Sequence, residues 1–147
     1  MRIGIDTNVL IYAHIPSMAD HAATRKYLTE RLEDPDTRLV VSPLVLHEFV
    51  HVVTDPKRFT PAVEMSDALS VARIYLGRDN VECLALGEPA MTKAFDLIER
   101  HQLGRRRIAD ALFAATLLDA GVETLVTCNE KDFAVFDDLT LIDPRRE

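Results

Sequence analysis

The chain has 147 residues, 48% hydrophobic and 28% charged, an ordinary globular mixture that supplies a core and excludes disorder over most of its length. Seventeen Lys and Arg against 24 Asp and Glu give a formal charge of −7. No overall positive field is therefore available to hold a polyanion, and a nucleic-acid partner would need local basic patches or bound cations.

From the N-terminus, Met1 to Asp6 holds no apolar core of signal-peptide length. No stretch approaches the roughly 18 apolar residues of a membrane span. A cytoplasmic location without a membrane partner is expected. Ile3 to Ile5 is a short apolar run ending at the acid Asp6, which is placed to cap a helix beginning near Asn8. Asp20 to Leu32 has helical period. Leu39 to Val41 is a second apolar run, followed by Ser42, a good N-cap, and Pro43, suited to a first helical turn. Further helices are predicted over Pro61 to Leu76, Pro89 to His101 and Ile108 to Ala120, the last closed by Gly121. Val81 to Leu84, Thr124 to Val126 and Thr140 to Ile142 complete the strand-like runs. Cys83 and Cys128 are too few for a disulfide framework and sit in no close Cys/His cluster, so both should be reduced thiols.

Strand and helix alternate, with no repeat or linker. The expectation is one α/β domain over residues 1–147, a parallel sheet of four or five strands flanked by helices. Ligands of such sheets bind beyond the carboxyl ends of the strands, which draws attention to acids there. Asp6 follows the first strand, and Asn129 follows the Thr124 to Val126 strand on the same rim. Glu48 has Leu44, Val45, His51 and Val52 as its neighbours one turn away, so its carboxylate should project from an apolar stripe. Asp110 has Phe113 and Ala114 one turn ahead and also points toward packed surface. Taken singly, each acid has a plain use: Asp6 as a cap, Asp110 at the positive end of its helix or paired with Arg106 or Arg107. Together, converging carboxylates repel unless protons or cations intervene. A hard dication such as Mg²⁺ or Mn²⁺ suits an oxygen-rich site without thiolates and works on phosphodiesters.

Four segments then resemble one family. Ile5-Asp6-Thr7-Asn8-Val9-Leu10, Ser42-Pro43-Leu44-Val45-Leu46-His47-Glu48-Phe49, Arg107-Ile108-Ala109-Asp110-Ala111-Leu112-Phe113-Ala114-Ala115-Thr116 and Leu125-Val126-Thr127-Cys128-Asn129-Glu130-Lys131-Asp132-Phe133 are similar, in order and separation, to the motifs of a PIN domain. More narrowly, they resemble a VapC-type toxin ribonuclease of a bacterial toxin–antitoxin pair. The resemblance implies an endoribonuclease that hydrolyses single-stranded or looped RNA with water activated on Mg²⁺ or Mn²⁺. It implies Asp6, Glu48 and Asp110 as catalytic metal ligands, with Asn129 in the fourth place and Asp132 as the nearest acidic substitute. It implies Thr7, Asn8, Ser42 and Thr127 as polar supports. A small cognate antitoxin of VapB type and a homodimer follow from the family as well. Arg105, Arg106 and Arg107 are candidates for drawing RNA phosphates to the rim, against a plain reading as a solvated loop. Arg2, Lys57 and Arg58 are weaker candidates. Tyr12 and Phe133 could stack bases, although packing is the commoner use of Phe133.

His47-Glu48-Phe49-Val50-His51 also fits the His-Glu-x-x-His zinc peptidase pattern. The extended form requires Gly and His where Thr54 and Lys57 stand, leaving Glu82 or Glu88 as third ligand, and the reading leaves Asp6, Asp110 and the Asn129 segment unused. A phosphatase built on an aspartyl nucleophile at Asp6 would need a second acid where Asn8 stands, and a receiver domain would place its phosphoacceptor later. A PIN nuclease without a toxin role, and a PIN-like binding module with degraded chemistry, are the remaining alternatives.

Overall fold

The computed structural model describes residues 1–147. Five parallel strands form a single sheet: β1 (Arg2–Ile5), β2 (Arg38–Val41), β3 (Val81–Cys83), β4 (Thr124–Val126) and β5 (Thr140–Ile142). Their order is β3-β2-β1-β4-β5. The chain winds outward from β1 through β2 to β3, then returns to the other side of β1 for β4 and β5. That reversal makes the β1/β4 boundary the topological switch point, where the loops leaving neighbouring strands diverge and open a crevice. Gly4 pairs with Leu125 and Ile5 with Val126 across this boundary, so Asp6 and Thr127 emerge side by side.

Seven helices cover the sheet: α1 (Thr7–His14), α2 (His21–Glu33), α3 (Pro43–Val53), α4 (Met65–Gly77), α5 (Glu88–Arg100), α6 (Ile108–Asp119) and the short α7 (Glu130–Phe133). A 3-10 turn over Arg105–Arg107 leads into α6. The central strands are apolar on both faces because helices pack on both, and Ile3, Ile5, Leu39, Val40, Val41, Leu125 and Val126 lie at the centre of a cluster of 35 buried apolar residues. Helix α6 lies so close to β1 that a Cβ at Gly4 would stand 2.6 Å from Leu117 Cδ1. Gly121, with φ +75°, ends the α6 connection as its position suggested.

One expected boundary moves. The helix predicted from Pro61 begins at Met65, because the Val63 N–H donates to the Val53 carbonyl at 2.9 Å and ties this segment back to the end of α3. The short α7 and the 3-10 turn were not foreseen. Both cysteines are free thiols, Cys83 exposed and Cys128 buried. No helix is long and apolar enough to cross a membrane.

Candidate active site

Asp6 continues the line of β1: its backbone N–H donates to the Val126 carbonyl at 3.0 Å, and its extended backbone serves as N-cap of α1. Its Oδ1 accepts from the Thr7 N–H at 2.7 Å, the capping role expected of it, while its Oδ2 accepts from Thr127 Oγ1 at 2.7 Å. The Thr127 hydroxyl in turn accepts from the Asn129 N–H at 3.0 Å and the Asn8 amide at 3.4 Å. Asn8 Oδ1 accepts from the Cys128 N–H at 3.0 Å. The loop after β4 and the first turn of α1 are thus stitched together around one carboxylate.

Glu48 arrives on α3. The expectation that it projects from a buried apolar stripe is corrected: α3 buries Val45, Leu46, Phe49, Val52 and Val53, and Glu48 lies exposed at the border of that face. It nonetheless meets the site, since Thr7 Oγ1 donates to Glu48 Oε2 at 2.9 Å. Ser42 touches no carboxylate; buried, it accepts from the Val45 N–H at 3.3 Å and supports Glu48 only by starting the helix. Asp110 stands in the first turn of α6, half-buried, and accepts from Arg107 Nε at 3.2 Å.

Asp6, Glu48, Asp110 and Asp132 all line one open cleft of about 480 Å³ at the carboxyl rim, with Thr7 and Asn8. Asp6, Glu48 and Asp110 also border a smaller opening of about 200 Å³ between α3 and α6, so the three acids form a shared wall. Asn129 is exposed and is absent from the lining; its side-chain amide donates to Asp132, which does line the cleft.

Burial pushes the Asp6 carboxyl up to about 6, against the pull of the Thr127 and Thr7 hydrogen bonds, and the nearby charges of Asp110 and Glu48 push the same way. Asp110 is raised by burial too, opposed by Arg107 and reinforced by Asp132 and Glu48. These acids therefore feel one another's charge, although no three Asp, Glu, His or Cys side chains close into a ready-made cage. The donor set is all oxygen, the chemistry that suits Mg²⁺ or Mn²⁺ and not a thiophilic ion.

The arginine candidates separate. Arg107 is committed to Asp110, whereas Arg105 and Arg106 are exposed and line neither opening. Arg58, rated low from sequence, lines the cleft; Arg2 is locked to Glu82 at 2.9 Å and to the Ala120 carbonyl at 2.6 Å, away from it. Phe133 is buried against Phe136 as well as bordering the site, and Tyr12 stands on the cleft wall. Met18, Val52 and Phe59 line the cleft unforeseen, because nothing in their local sequence signals that separate loops bring them there. His47 and His51 are exposed and stack on each other with centroids 6.0 Å apart, and Glu82, a proposed third zinc ligand, is held by Arg2.

Comparison with known proteins follows the same lines. A family model described as PIN domain matches residues 3–139. Ribonuclease VapC24 of Mycobacterium tuberculosis is 30% identical over 142 residues, which span 97% of this chain and 96% of the relative. Among solved structures, VapBC2 from Rickettsia felis, bound to a DNA fragment from its promoter, superposes with a TM-score of 0.67 at 21% identity, over 97% of this chain and 98% of that one. Mycobacterium tuberculosis VapC20, described as a Sarcin-Ricin loop cleaving toxin, gives a TM-score of 0.65 at 18% identity, over 84% of this chain and 86% of its own. These structural likenesses are of fold.

Proposed function

The chain belongs to the PIN domain family, and on that premise we propose that residues 1–147 form one metal-dependent endoribonuclease domain, the toxin of a VapBC-type toxin–antitoxin pair. The observation that carries this reading is the meeting of Asp6, Glu48, Asp110 and Asp132, from four distant segments, on one cleft at the switch point of the sheet. Carboxylates so disposed repel one another in the absence of a cation, and a peptidase built on His47, Glu48 and His51 leaves Asp6, Asp110 and Asp132 without a use.

Asp6, Glu48 and Asp110 would hold Mg²⁺ or Mn²⁺, with the fourth place going to Asp132, held by the Asn129 amide, or to Asn129 itself. When bound, such an ion supplies charge neutralisation at a phosphodiester and acidifies water. The protein's own part is orientation. Thr127 and the Thr7 N–H fix both oxygens of Asp6, and the Thr7 hydroxyl turns Glu48 toward the cleft. Glu48, exposed and held by a single hydrogen bond, is placed to orient water or take its proton. Arg107 offsets the charge of Asp110.

The toxin role and a VapB-like antitoxin are supported by the VapC relatives and by the solved VapBC complexes of the same fold; a homodimer is proposed on the family resemblance alone. The deciding experiment incubates purified protein with structured RNA and Mg²⁺ or Mn²⁺. Wild type should cleave, EDTA should stop it, and Asp6→Asn and Asp110→Asn should lose cleavage; equal cleavage by all three proteins would reject the site. Expression alone should slow growth, and co-expression of the neighbouring small gene should relieve it. Cleavage without any growth effect would favour the nuclease without a toxin role.

A further inference from the structure

The cleft is lined by two unlike sets of residues. One is the acidic wall just described; the other is built from Ile11 and Tyr12 of α1, Met18 of the following loop, Val52 of α3, and Arg58 and Phe59 beyond it. Arg58 and Phe59 are held there by the turn that follows α3. The Asp55 carbonyl accepts from the Arg58 N–H at 3.0 Å and the Phe59 N–H at 3.1 Å, and Asp55 Oδ1 accepts from the Lys57 N–H at 2.9 Å. This tight turn swings the chain back so that Arg58 and Phe59 share the cleft with Glu48, carried earlier on the same helix.

Arg58 is the single cationic side chain among the lining residues. Its ion pair with Asp55 is long, 3.9 Å, and its side chain is 64% exposed, a pairing of little strength that leaves the guanidinium free to engage another anion. Arg107, by contrast, is occupied with Asp110. A polyanion entering this acidic cleft therefore meets one available cation, and half-buried Phe59, Tyr12 and Met18 line the same cleft. An arginine beside aromatic and thioether groups matches a nucleotide with its base unstacked: the guanidinium takes the phosphate and the ring faces take the base. A cleft of about 480 Å³ has the size of a small-ligand site, enough to take one unstacked base.

We propose that Arg58, Phe59, Tyr12 and Met18 are the residues that form a nucleotide subsite, seating one base of the single-stranded RNA expected for the family next to the phosphate presented to the acidic wall. This rests on the ribonuclease reading for its position in the reaction, but not for binding itself.

The test uses a hairpin RNA cut by the wild type, with an abasic residue scanned through its loop, and in parallel the fluorescence anisotropy of a labelled single-stranded RNA pentamer in EDTA. For wild type, one abasic position should raise KM by about tenfold with kcat little changed. Phe59→Leu, which keeps apolar volume, should show the same loss on intact RNA and no further penalty at that position. Arg58→Ala should weaken pentamer binding and lower the slope of log affinity against log salt by about 0.7, with Arg58→Lys restoring the slope. Wild-type cleavage with no abasic position whose penalty disappears in Phe59→Leu, or an unchanged salt slope in Arg58→Ala, would overturn the subsite. Pentamer binding that depends on Phe59 and Arg58 without any cleavage would overturn the ribonuclease reading and keep the subsite; neither binding nor cleavage would overturn both.

Discussion

Thr127 Oγ1 donates to Asp6 Oδ2 at 2.7 Å across 121 residues of sequence. The bond joins the ends of neighbouring strands β1 and β4 and fixes the carboxylate that the site is built around. Because the same hydroxyl accepts from Asn129 and Asn8, its removal frees three partners at once. Thr127→Val, similar in shape, should lower kcat/KM for RNA by about 10- to 100-fold, as loss of a group orienting a metal ligand generally does. Thr127→Ser should recover most of it. Steady-state kinetics alongside melting temperatures would check this, and a valine variant with full activity would remove Thr127 from the site.

The C-terminal segment straps the same loop from behind. Arg145 donates to both oxygens of Asp143, at 2.9 and 2.7 Å, to the Cys128 carbonyl at 2.7 Å, and to Asp20 at 3.2 Å. Asp143 is 5% exposed, and Arg145 holds its carboxyl down to about 2. A lowered folded-state value means stability present above about pH 4 and lost as the pH falls through about 2. Arg145→Ala should cost about 2 kcal/mol at pH 7, below the full penalty for a buried pair because Arg145 is one-third exposed. The gap from wild type should narrow in acid. Urea titrations at pH 7 and pH 3 would measure both; a gap that stays constant would place the stabilisation elsewhere.

Gly4 lies in the central strand facing Leu117 of α6, the helix that carries Asp110. Gly4→Ala would set a methyl 2.6 Å from Leu117 Cδ1 in a fully buried site. The expected cost is about 1–3 kcal/mol, the usual range for overpacking, with α6 displaced and RNA cleavage reduced along with stability. Leu117→Ala in the Gly4→Ala background should lose less than the sum of the two single changes. Strict additivity in a denaturation cycle would show that the two side chains do not compete for space.

The strands were legible because two-sided burial leaves short apolar runs, and α3 because Ser42 and Pro43 announce its start. The boundary near Pro61 was not, since the Val63 hydrogen bond to Val53 is tertiary and leaves no local mark. Asp6, Glu48 and Asp110 could be named from sequence because each stands at a strand end or on a helix whose phase is readable. The environment of Glu48 was misjudged: an apolar neighbour one turn away does not itself cover a side chain, and Leu44 and His51 are exposed beside it. Arg58 stood only beside Arg2 and Lys57 among the sequence candidates, and Phe59 was not among them, because their place in the cleft depends on a turn built from backbone bonds to Asp55. Asp132 was seen only as a substitute, yet it reaches the cleft wall and Asn129 does not, a consequence of the unforeseen α7.

Asp6 also gives the protein a pH dependence of opposite sign to that of Asp143. Its carboxyl is moved from 3.8 up to about 6 chiefly by burial. A raised folded-state value favours the protonated form, so this contribution to stability is full below about pH 4 and is lost as the pH rises through about 6. Asp110 is raised in the same direction. In EDTA, the melting temperature of wild type relative to Asp6→Asn should therefore fall between pH 4.5 and 7.5, because the variant carries no proton to lose at this position. Mn²⁺ should reverse the trend for wild type, raising its melting temperature more at pH 7.5 than at pH 5, where the ion competes with the Asp6 proton. Asp6→Asn should gain little from the ion at either pH. Parallel melting curves for the two proteins across this range, or an equal gain from Mn²⁺ in both, would show that Asp6 is neither the titrating carboxyl nor a ligand.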